Sequence, residues 1–211
     1  MAYDLEEQEQ LETLKEFWHK YGSFILPVLL VVAVAVAGWR GWQWYQVRNA
    51  TQAAQIYDQL REAVGAKDVA KVRDAAGRIV SDYPGTAWAQ MAALAAADVY
   101  LDNGDAKAAR IPLQWAIDDA RDPAFRDEAR LRLAGVLLDE KAYDEASKLV
   151  AQPEVKSYAG AFADRRGDLL VAQGKIAEAR VAYREALAAL TGDSALRRLV
   201  RVKLDALGDD A

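Results

Sequence analysis

The chain has 211 residues, with 32 acids against 27 lysines and arginines, a formal charge of −5, one histidine and no cysteine. The missing cysteines exclude disulfides, thiol catalysis, iron–sulfur clusters and cysteine zinc sites, and the lone His19 leaves the rest of the chain without a Ser-His-Asp triad or a histidine metal cluster. Bases interleaved with acids at helical spacing give no concentrated basic face, so no nucleic-acid partner and no cofactor are expected.

Residues 1–20 form an acidic leader. Asp4, Glu6, Glu7, Glu9, Glu12 and Glu16 stand against Lys15 and Lys20, a net charge of −4. Leu5, Leu11, Leu14, Phe17 and Trp18 recur at mixed three- and four-residue spacing, which predicts a short amphipathic helix leading into the apolar stretch beyond Lys20.

Residues 21–45 read as a transmembrane helix with aromatic flanks. No charge interrupts the chain between Lys20 and Arg40, and the apolar stretch measures roughly 28 Å at ~1.5 Å per residue, close to the ~30 Å hydrocarbon core. Phe17, Trp18 and Tyr21 precede it, and Trp39, Trp42, Trp44 and Tyr45 succeed it, where rings gain from one apolar and one wet side. Two other readings compete. A buried core helix is disfavoured because every face is apolar. A cleaved signal peptide would use the triplet Ala35, Val36 and Ala37, but signal peptides start basic and this leader is acidic. Pro27 removes one helix hydrogen bond. Ala33, Ala37 and Gly41 form a small-residue stripe, which is either a docking face for another transmembrane helix or a consequence of abundant alanine. Lys15 and Lys20 balance Arg40 and Arg48, so charge leaves the orientation open.

From residue 46 onward the apolar spacing is helical, with breaks at glycine or proline. One pair of helices is predicted over 50–64 and 68–82, ending at Tyr83, Pro84 and Gly85, with Thr86 or Asp82 as caps. Three units then share a spacing. They are Tyr100-x3-Gly104-x4-Ala109-x3-Leu113-x2-Ala116, Leu137-x3-Lys141-x4-Ala146-x3-Val150, and Leu170-x3-Gly174-x4-Ala179-x3-Tyr183-x2-Ala186. Their periods bracket the ~34-residue tetratricopeptide repeat, in which neither helix pair buries its face alone. The pair over 50–82 does not fit this register and reads as an irregular first unit. The segment from Ser194 places Leu196, Leu199, Val200, Lys203, Leu204 and Leu207 near one stripe, as a C-terminal capping helix would. The expected fold is all-α, a single N-terminal transmembrane helix followed by a tetratricopeptide-like α-solenoid over residues 46–211.

The acidic leader, the span ending in GWRGWQWYQ (38–46), and the segments SDYPGTAWAQMAALAAADVYLDNGD (81–105), RDEARLRLAGVLL (126–138) and DRRGDLLVAQGKIAEARVAYREAL (164–187) together resemble the YfgM family, the ancillary subunit of the bacterial Sec translocon. The resemblance covers essentially the whole chain. It implies a single-pass protein of the bacterial inner membrane, with the leader in the cytoplasm and the repeats in the periplasm. Implied partners are the Sec translocon and a PpiD-like periplasmic chaperone, and emerging polypeptides are a further candidate.

In such repeats the first helix of each pair lines the groove. Carried onto this register, the groove positions are Met91, Leu94, Asp98, Leu101 and Asp102; Glu128, Leu131, Leu138 and Asp139; and Asp164, Asp168 and Val171. Six are acids and none is basic, which suits a basic or amphipathic segment and disfavours a carboxylate clamp. The plainer alternative is that the leucines pack inside the solenoid and the acids are solvated. Charge reversal at Asp98 and at Asp168 is expected to weaken partner binding while sparing the fold. No nucleophile–base pair or phosphate loop accompanies the acids, so an enzyme is not expected. The expected role is a membrane-anchored interaction module, with an envelope scaffold in outer-membrane assembly or cell division as the alternative.

Overall fold

The computed structural model describes residues 2–208, with side chains from Leu11 onward. Among the described residues every regular segment is helical. The chain divides between Asn49 and Ala50 into two units.

Helix α1 (Ala2–Gly65) supplies the first unit with its residues up to Asn49. Its apolar stretch is bare on every side: Phe24 is 75% exposed and Val31 68%. A core helix hides its apolar residues, so that reading fails here. By length and composition this is the one helix among the described residues able to cross a membrane. The helix continues through Pro27. Its flanking rings cluster locally, with Phe17 and Tyr21 5.0 Å apart before the stretch and Trp42 and Tyr45 6.4 Å apart after it. Trp18 lies over Gly22, the Lys20 ammonium over Tyr21, and the Arg48 guanidinium over Trp44. Each end therefore carries a ring beside a cation, the pairing that stabilises a side chain at a wet boundary. Ala33, Ala37 and Gly41 are exposed, and a side chain added at Gly41 would meet nothing.

In the second unit the end of α1 pairs with α2 (Val69–Asp82). Three further pairs come after it: α3 (Ala87–Asp102) with α4 (Ala106–Asp119), α5 (Pro123–Asp139) with α6 (Tyr143–Leu149), and α7 (Ala159–Ala172) with α8 (Ile176–Ala189). Helix α9 (Ala195–Ala206) closes the row. Side chains cap several starts, accepting from backbone N–H groups one turn in: Asp68 from Lys71, Thr86 from Ala89, Asp105 from Ala108 and Ser194 from Arg197. Thr86 is thus the cap of α3, while Asp82 ends α2.

All four pairs turn in the same way. One residue takes a left-handed backbone: Lys67 at φ 54°, Gly104 at 74°, Lys141 at 62° and Gly174 at 74°. Its N–H and that of the next residue return to carbonyls of the preceding helix, as in Gly104 to Leu101 and Asp105 to Tyr100, or Lys67 to Val64 and Asp68 to Ala63. These bonds satisfy carbonyls that a helix end leaves open. The pair over 50–82 therefore shares the register, which corrects the expectation of an irregular unit. Two substitutions hide it in the sequence. Ala63 and Val72 stand where Tyr100 and Ala109 stand in the next pair, so the large and the small partner have changed places, and all four are buried.

A lysine in the left-handed region costs about 1–2 kcal/mol, against roughly 0.5–1 kcal/mol of extra chain entropy for glycine. Lys67→Gly and Lys141→Gly are each expected to raise stability by about 0.5–1 kcal/mol in urea unfolding.

One core cluster runs from Ala53 on α1 to Leu169 on α7. A second gathers Ala163, Ala179, Tyr183, Ala186 and Val200, with Leu196, Leu204 and Leu207 of α9 packed against it. Leu199 does not join the inward stripe expected of it; it is half exposed on the outer face of α9.

Candidate protein-interaction ledge

The first helices of consecutive pairs, α3, α5 and α7, lie side by side, and the twelve groove positions fall on them. The apolar ones divide unevenly. Leu94 is buried, and Leu101, Leu131 and Leu138 pack against the main core, while Val171 packs against the second cluster. Met91 is half-buried. These side chains chiefly hold the helices together, as the plainer reading has it. The outward surface is left to the charged residues.

Four of the six acids are paired. Arg132 of α5 reaches Asp98 of α3 at 3.3 Å through Nε and Glu128 at 3.3 Å through Nη2. Burial raises the Asp98 carboxyl above its ordinary value, and Arg132 partly offsets the shift. Arg165 of α7 lies 3.7 Å from Asp168, and its guanidinium covers Gly135, where a side chain would approach it within 3.5 Å. Arg132 and Arg165 occupy equivalent positions of successive pairs, and each keeps one buried N–H without a partner, Nη1 and Nε respectively. Asp102 and Asp139, at the last positions of α3 and α5, are exposed and join no ion pair among the described residues. Among the described residues no cluster of metal ligands occurs.

The end of the ledge is closed by α9. Lys203 Nζ donates to Asp164 Oδ1 and to Asp168 Oδ1, both at 2.8 Å, and the Tyr183 hydroxyl donates to Asp168 Oδ1 at 2.8 Å. Burial, then the bond to Asp168, holds the Tyr183 phenol above its ordinary range. Arg197 of α9 donates to the Leu187 and Leu190 carbonyls at the end of α8. Asp164 and Asp168 are therefore fastened and largely covered within the domain, whereas Asp98 stays half exposed beside Arg132. Their equivalence in register does not survive packing, and charge reversal at Asp168 would strike the fold as well as any partner.

Burial pushes the Asp164 carboxyl up, and the bond from Lys203 pulls it back. Lys203→Met removes that restraint and is expected to cost about 1–2 kcal/mol at neutral pH. A carboxyl whose folded value is raised favours folding below its unfolded value and loses that contribution as pH rises through the folded one. The deficit of the variant should therefore narrow as pH falls toward 3.8, the ordinary aspartate value, and urea unfolding at neutral pH and near that value checks it.

Spacing missed three bases. Arg132, four residues after Glu128, and Arg165, three before Asp168, were legible as intrahelical pairs. Lys203 was not, because it comes from a helix 35 residues beyond Asp168.

Comparison with known proteins agrees with this architecture. A family model described as a tetratricopeptide repeat-like domain matches residues 15–209. The ancillary SecYEG translocon subunit of Neisseria gonorrhoeae is 31% identical, covering 98% of this chain and all of the relative. The proteins of that name from Haemophilus influenzae and Escherichia coli are 28% and 27% identical, covering 98% and 95% of this chain and 100% and 96% of the relatives. With repeats in register from α1 to α8 behind one apolar N-terminal helix, the chain belongs to the family of ancillary SecYEG translocon subunits, built on a tetratricopeptide repeat-like domain.

Proposed function

We propose that this protein is a single-pass subunit of the bacterial inner membrane that accompanies the Sec translocon, with residues 1–20 in the cytoplasm and the repeats in the periplasm. The observation that carries this reading is the bare apolar helix, ringed by aromatics at both ends, in a chain whose relatives are named as translocon subunits along nearly their full length. The role is one of binding. The repeats link translocating polypeptides to a PpiD-like chaperone, and the ledge takes a basic or amphipathic segment. Asp98, Asp102 and Asp139 are its available acids, since Asp164 and Asp168 already hold Lys203.

Site-specific photocrosslinking in intact membranes tests both halves. A photoreactive residue at Ala37 or Gly41 is expected to trap a translocon subunit, and Ala37→Leu with Gly41→Leu to lower recovery of that subunit without preventing insertion. Asp98→Lys is expected to reduce ledge crosslinks several-fold while stability in urea unfolding falls by no more than about 1 kcal/mol, the cost of losing a half-exposed pair with Arg132. The assignment fails if no position on the span reaches the translocon, and the ledge reading fails if crosslinks from its rim ignore Asp98→Lys.

A further inference from the structure

The second helices of the first two pairs, α2 and α4, leave a groove of about 510 Å³ between them, floored by α3. It lies apart from the ledge and uses none of the ledge residues. Alanines such as Ala93 and Ala96 make the floor, and Ile111 of α4, 75% exposed, stands at the rim. The polar groups are few and all can donate: Arg73 on α2, the Tyr100 hydroxyl and the Trp115 indole. None of the three makes an ion pair or hydrogen bond among the described residues, and no acid lines the groove.

Gly77 makes the opening. It sits inside α2, where glycine costs about 1 kcal/mol relative to alanine, yet a side chain built there meets nothing within 4 Å. The backbone does not need glycine, since its φ is not in the left-handed region. Its effect is to keep the mouth of the groove clear.

We propose that this groove is a second docking surface, and that its occupant is an amphipathic helix of another protein that inserts apolar side chains at i, i+3 or i+4 and i+7 and presents a carboxylate to Arg73. Helices seat in grooves between helices through such anchors. Charge selects the occupant. Arg73 is the one charged residue that lines the groove and no acid stands beside it there, so an apolar segment bearing a carboxylate is attracted and a basic one is repelled. The ledge and the groove thus select opposite partners, one basic and one acidic.

The test uses the full chain in lipid nanodiscs and a fluorescein-labelled helical peptide of roughly 18 residues with leucines at i, i+3 and i+7 and glutamates at one end. A twin peptide carries lysine for glutamate. The glutamate peptide should give saturable anisotropy, and the twin should bind at least ~10-fold more weakly. Gly77→Leu should weaken binding at least ~10-fold without lowering the unfolding midpoint, Arg73→Glu should reverse the preference, and Asp98→Lys should leave binding unchanged. The proposal is overturned if neither peptide saturates, if Gly77→Leu binds like the parent, if Arg73→Glu leaves the preference as it was, or if Asp98→Lys weakens the peptide as much as the groove variants do.

Discussion

Asp127→Ala is expected to cost about 3–5 kcal/mol, read as a shift of the urea midpoint at unchanged slope. The Asp127 carboxylate is fully buried. It accepts the Glu154 N–H at 3.1 Å and the Val155 N–H at 2.8 Å, and faces Arg130 at 3.4 Å. These bonds fasten the segment between α6 and α7, which has only a short 3-10 turn, Lys156–Tyr158, of its own. Alanine would strand two backbone donors and leave the Arg130 guanidinium with Glu154 alone. Asn in its place keeps an acceptor and loses the charge, so Asp127→Asn should cost roughly half as much. Next door Arg126 clasps Glu154 through Nε and Nη2 and donates through Nη1 to the Ala120 carbonyl. An equal loss for Arg126→Ala and Asp127→Ala would show that the clasp, which is partly exposed, matters as much as the buried carboxylate. The expectation is that it matters much less.

Gly167→Ala should destabilise by about 2–3 kcal/mol, while Gly77→Ala should stabilise by about 0.5–1 kcal/mol, although both glycines lie inside helices. At Gly167 a methyl would run into Cε1 and Cδ1 of the Tyr183 ring. That ring cannot retreat cheaply, because its hydroxyl is bound to Asp168 and Lys203 lies 5.7 Å over its face. The gain in helix propensity, about 1 kcal/mol, is the smaller term. At Gly77 the same gain meets no opposing contact. Parallel thermal or urea unfolding of the two variants reads the difference, and a loss at both positions would mean that space does not decide the sign.

Much of the fold was legible because it is encoded over a few residues. Left-handed turns announce themselves at Gly104 and Gly174, and the cap at Thr86 precedes an apolar run at helical spacing. The first pair was legible as two helices, but its register was not, because lysine occupies its left-handed turn and Ala63 and Val72 exchange sizes relative to Tyr100 and Ala109. The larger side chain of the contact comes from the second helix in the first pair and from the first helix in the next, which erases the pattern that alignment relies on.

The ledge was only half legible. Register correctly placed Asp98, Glu128, Asp164 and Asp168 on first helices, but it could not show which of them are already engaged. Asp98 meets an arginine from the next pair and remains half exposed, whereas Asp164 and Asp168 share a lysine from α9.

Residue pattern alone was enough to establish that this protein is helical, that one N-terminal stretch is apolar on every face, and that helix pairs recur at a nearly constant period. Each of these rests on backbone preference and side-chain periodicity, which act within a turn or two of helix. Folding in three dimensions settled the rest: which charges remain available, where a buried aspartate holds a connecting segment, and that α2 and α4 stand apart over a floor of alanines. Those outcomes depend on which faces of distant helices meet, and pairings 27 to 39 residues apart, such as Asp127 with Glu154 and Asp164 with Lys203, leave no local trace.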